Sequence, residues 1–227
     1  TGVPREIIGD YGSDLKSGVE KFCAAHPETS SIYDIKHKTA AVLKHLLESD
    51  EVWRAFTQQA VQTRLRLQQT ALAALQPPGL RRQARYMNLE RLVAWGRQLL
   101  AYVEAPLADP QPRLDAALVE AQLGWLCAFR QPLDEWAELF ELVSTTESVV
   151  RQDGLSAETA LKLAARLPER ASTERVGWVR AELLAFVAQE VAHARPGERL
   201  VGSSEVIESV FGKLKYLERD QAASGFT

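Results

Sequence analysis

Two acidic residues stand where a carboxylate could do chemistry. Asp10 ends the run Ile7-Ile8-Gly9-Asp10, and Glu208 lies in the stretch Ser203 to Lys215, SSEVIESVFGKLK. In that stretch Ile207, Val210, Phe211, Leu214 and Leu217 recur at helical spacing. Ser203 or Ser204 supplies an N-cap oxygen, and Glu205 falls in the first turn, where the helix dipole favours negative charge. Glu208 then sits at the edge of the apolar stripe. A carboxylate so placed suits a divalent-metal ligand, and it also suits an ordinary boundary glutamate. Two-metal phosphoryl transfer brings carboxylates onto a pair of ions roughly 3.5–4 Å apart. Mg²⁺ takes oxygen ligands, keeps several waters and accepts few carboxylates from the protein. Asp14 and Glu205 are the nearby acids that compete for the same roles.

The positioning elements follow from the local pattern. Val3 to Gly9 reads as a strand buried on both faces, a helix runs from about 14 to 25, and 30–35 reads as a second strand. Together they make a βαβ unit. Asp10 falls at the C-terminal end of its strand, where open parallel sheets place ligands. From about 37 to 194 the pattern is helical, in segments near 37–49, 51–75, 80–105, 112–130, 133–152, 156–167 and 172–194. Breaks are expected at Gln76-Pro77-Pro78-Gly79, from Pro106 to Pro112, at Gln131-Pro132, at Asp153-Gly154 and from Arg170 to Thr173. All five tryptophans lie in this block and are expected in the core. No fixed-period repeat marks a solenoid. The fold class expected is α/β, mostly helical overall: 1–38 and 197–227 form parts of one domain, and 39–196 is an all-helical insertion.

Composition bounds the function without naming it. The 227 residues are 46% hydrophobic and 25% charged, enough apolar material for a substantial core. A net charge of −3 advertises no nucleic-acid or membrane partner. No apolar run approaches the ~20 residues of a membrane span. Cys23 and Cys127 form no CxxC pair, and their apolar settings predict buried, reduced thiols. A cytoplasmic, nucleoid-associated location is expected.

Three motifs together resemble a family. IIGDYGSDL is similar to the strand around the second aspartate of RNase H-like DDE transposases, and IESVFGKLK to the helix that carries their glutamate. Tyr33-Asp34-Ile35-Lys36-His37 resembles the (Cys/Asp)-x-x-His signature of the Mutator and hAT groups, which also carry an all-helical insertion. The motifs cover about 35 residues. The resemblance implies a partial RNase H-like domain in which Asp10 and Glu208 are catalytic and ligate Mg²⁺ or Mn²⁺. It implies that Asp34 and His37 support the site. Lys36, Lys38, Lys213 and Lys215 would meet phosphates of transposon-end and target DNA. It further implies a homo-oligomer when full length, with no membrane partner. The sequence holds no match to the family's first aspartate, so a C-terminal fragment, inactive alone, is expected. Read without the family, Asp34 is a helix N-cap with a surface histidine nearby. The chain as a whole could also be a non-catalytic helical interaction module, or a decayed transposase that binds a partner or DNA.

Overall fold

The computed structural model describes residues 2–10, 12–79, 89–104 and 115–205. Glu208, Lys213 and Lys215 lie outside them. The chain is mostly helical, with one two-stranded sheet among the described residues.

Strand β1 (Glu6–Gly9), helix α1 (Ser13–Ala25) and strand β2 (Ser30–Tyr33) form the expected βαβ unit. The strands are parallel, in register from Glu6 opposite Ser30 to Gly9 opposite Tyr33. The strand burial is partial: Ile32 is fully buried, while Ile7 and Ile8 are only half-buried. The sequence expectation of a strand covered on both faces is therefore not met by β1 among the described residues. Leu15 on α1 is 58% exposed, and with Ile7, Val19 and Lys16 it lines a shallow surface groove.

The helices that follow are α2 (Ile35–Leu47), α3 (Glu51–Leu67), α4 (Glu90–Glu104), α5 (Ala116–Leu123), α6 (Arg130–Asp153), α7 (Thr159–Arg166) and α8 (Glu174–Val191). Three boundaries differ from the sequence reading. Helix α3 ends at Leu67 because the Thr70 hydroxyl donates to the Leu67 carbonyl at 3.0 Å and turns the chain. Residues 124–129 are 3₁₀ rather than α, so Leu126 and Phe129 are buried three apart and Cys127 is turned out. Cys127 is thus exposed, and Cys23 is half-buried; neither is the fully buried thiol expected. Helix α6 begins at Arg130, ahead of Pro132. A proline in a first helical turn lacks only an N–H that has no intrahelical acceptor, so it does not break the helix.

By contact the chain divides into two compact units. One comprises the described residues of 1–38, 145–167 and 183–227; the other comprises those of 39–144 and 168–182. Residues 145–167 and 183–196, grouped by sequence with the helical insertion, thus pack with the βαβ. Its buried residues include Ile32, Ile35, Val149, Leu155, Leu163, Leu183 and Val187. The second unit is built on aromatic rings. Phe56 lies 5.2 Å from Trp136 and 5.4 Å from Phe129, and Trp53 meets Trp136 edge-on at 4.8 Å. Trp53 and Trp136 are core residues as expected, whereas Trp178 is 43% exposed. Among the described residues no helix is long and apolar enough to cross a membrane.

Candidate functional site at the strand ends

The parallel register places Asp10 and Asp34 one step past Gly9 and Tyr33, at neighbouring C-terminal strand ends. The ladder continues through the Asp34 amide, which donates to the Gly9 carbonyl at 3.0 Å. The two acids have opposite surroundings. Asp10 is exposed, and its Oδ1 accepts from the Gly12 amide at 3.0 Å. Asp34 is 1% exposed.

Asp34 is fully occupied as an acceptor. Its Oδ1 accepts from the amides of Lys36 (2.7 Å) and His37 (3.4 Å), which are first-turn donors of α2. Its Oδ2 accepts from the Ser204 amide (2.6 Å) and the Ser204 hydroxyl (2.7 Å). Burial pushes this carboxyl up, but the hydrogen bonds from Ser204, Lys36 and His37 outweigh it and hold the group below the usual aspartate range. An ionised carboxylate offers about four lone-pair sites. Asp34 therefore has no oxygen left to ligate an ion. It caps α2, as its N-cap reading expects. His37 Nδ1 is buried, 3.5 Å from Asp34 Oδ1, with no hydrogen-bond partner.

The segment that precedes Glu208 in sequence is hydrogen-bonded at most of its positions to other residues of its own unit. Leu200 exchanges backbone bonds with Leu155 at 2.8 and 2.9 Å. The Val201 amide donates to the Glu6 carboxylate, and the Ile35 amide donates to the Gly202 carbonyl at 3.1 Å. A Cβ on Gly202 would run into Val150 and Leu155, so glycine is required by close approach. Ser203 Oγ accepts from the Glu205 amide at 3.3 Å. Just upstream, Arg5 makes a bidentate pair with Glu198 at 2.7 Å and also donates to the His193 carbonyl. Residues near the first strand and residues near 200 thereby share one framework.

Of the lysines expected to meet DNA, Lys36 and Lys38 lie among the described residues, and both face other groups of the protein. Lys36 Nζ lies 3.1 Å from Glu147 and 3.8 Å from Glu205, and Arg151 reaches Glu205 at 3.3 Å. Lys38 Nζ stands 5.3 Å over the Phe186 ring. Nearby Glu190 is 5% exposed and accepts from the Tyr33 amide, on the strand edge away from β1, at 3.1 Å. Burial raises its carboxyl above the ordinary range, opposed by that hydrogen bond and by His193 and Lys38.

Among the described residues no three His, Cys, Asp or Glu side chains gather as a metal site. Asp10 fits a divalent ion in chemistry and exposure, as one oxygen ligand. Sequence reasoning missed Ser204 as the donor to Asp34, Glu190 and the Arg5–Glu198 pair. Ser204 was visible only as a helix cap, and nothing at its position announces an acceptor 170 residues away. Arg5 and Glu198 carry no pattern at all. A scan against protein-family models, a search of curated proteins and a search of solved structures return no match.

Proposed function

We propose that the chain is part of the RNase H-like catalytic domain of a DDE transposase, which cuts and joins DNA with Mg²⁺ or Mn²⁺ when complete. The observation that supports this reading is the junction at the strand ends. Asp10 closes one parallel strand, Asp34 closes its neighbour, and Asp34 grips Ser204, four residues before Glu208. The motifs at Asp10 and Asp34 fall at these strand ends, and the third motif begins three residues beyond Ser204 in sequence. Asp10 and Glu208 would hold the ions, which supply activation of a water or 3′-hydroxyl and stabilisation of the leaving oxygen. Asp34 and His37 support the site without ligating. In this reading the helical residues of 39–144 belong to the insertion, and DNA is the partner.

The test is nicking and joining of DNA by the full-length parent with Mg²⁺. Loss of partners outside the ligand shell costs 10–100-fold, so loss of a ligand in Glu208→Gln should cost at least about 100-fold. Activity unchanged in Glu208→Gln sinks the reading. A second reading, a helical interaction module that binds without cutting, draws on the engagement of Lys36 by Glu147 and Glu205. It expects DNA or protein binding with no metal-dependent cleavage by the parent.

A further inference from the structure

We infer that Asp34 is a positioning residue: one buried carboxylate caps α2 with one oxygen and clasps Ser204 with the other, fixing residues 202–205 against the C-terminal end of β2. The catalytic part of this inference rests on the reading above; the clasp itself does not. A simple N-cap needs one oxygen. Asp34 is buried, and its second oxygen takes both an amide and a hydroxyl from a residue far along the chain. Each flanking contact points the same way. Ile35, next to Asp34, holds Gly202, and Lys36, next again, reaches Glu205. Three consecutive residues at the start of α2 therefore grip three positions of 202–205. Only the Asp34 leg is both buried and charge-assisted, which makes it the strong one. In the reading above, the clasp would fix the point from which the chain runs on in sequence towards Glu208, beside the strand that Asp10 closes.

Asparagine separates the two roles. It caps helices as well as aspartate does. With its oxygen on α2, its NH₂ faces the Ser204 amide, and that bond is lost; the Ser204 hydroxyl can turn to accept from the NH₂. Hydrogen exchange of the 227-residue chain reads the result. In Asp34→Asn the amides of Ser204 and Glu205 should exchange at least about 10-fold faster, while those of α2 change less than about 3-fold. Equal acceleration in both, or none at Ser204, reduces Asp34 to a cap and overturns the inference. Should Asp34→Asn fail to fold, Ser204→Ala keeps the cap and the amide leg. It should still speed exchange at Glu205, and no change there also overturns the clasp. In the full-length parent, Asp34→Asn should lower kcat about 10–100-fold with KM for DNA unchanged. A rise in KM with kcat intact contradicts positioning. If the wild-type parent cuts no DNA while the exchange result holds, the functional reading fails and the clasp stands.

Discussion

At the scale of the residue, the account turns on two buried carboxylates with opposite titrations. Asp34 is held below its ordinary value, so its contribution is complete above the unfolded pKa of about 3.9 and is lost as pH falls through the folded one. Asp34→Ala should cost about 3 kcal/mol at neutral pH, from a lost cap and two donors left without a partner. Urea unfolding at a series of pH values should show that cost shrinking below about pH 4. Glu190 titrates the other way. Its folded value lies above the unfolded one, so the native state binds the proton more tightly and ionisation destabilises it. That penalty is absent below about pH 4.3 and grows as pH rises towards the folded value. Glu190→Gln keeps an acceptor for the Tyr33 amide without the buried charge. Thermal unfolding should find it more stable than wild type at pH 7, with no gain near pH 4.

At the scale of the element, the sequence was legible where periodicity was strong and blind where contacts were long-range. The β1–α1–β2 unit was readable because its two strands and its helix are each signalled by their own local sequence. Most helices were placed to within a few residues for the same reason. The misses have local physical causes: a threonine hydroxyl ending α3, a 3₁₀ register at 124–129, and a proline tolerated in the first turn of α6. Asp34 was legible as a cap because Asp before an apolar-periodic run is a helix signal. Its second grip was not, because Ser204 is set against it by tertiary folding alone. The same holds for Gly202, whose sequence setting beside Val201 and Ser203 suggests only a turn. Packing makes the demand there. Gly202→Ala should destabilise by about 2 kcal/mol through overpacking against Val150 and Leu155, as measured by denaturant midpoint.

At the scale of the whole molecule, two units carry different burdens. The unit with 39–144 and 168–182 rests on its aromatic cluster. Phe56, fully buried among Trp53, Trp125, Phe129 and Trp136, should cost about 3–5 kcal/mol when cut to alanine, by urea unfolding. The unit with the βαβ gathers residues from both ends of the chain, and the functional reading depends on how far that gathering goes. Gly202 to Glu205 are tied to Ile35, Asp34 and Lys36, and Asp34 adjoins Asp10 across the sheet. The account requires the Glu208 carboxylate to complete the approach. The direct measurement is cross-linking of Asp10→Cys/Glu208→Cys, in a chain with Cys23 and Cys127 changed to serine, by a short thiol-reactive reagent. Arg5→Cys/Glu198→Cys, whose native side chains touch at 2.7 Å, serves as the reference pair. An intramolecular 10–208 link at a rate comparable to the reference is the expected result. A reference pair that links readily beside a 10–208 pair that does not would contradict the account.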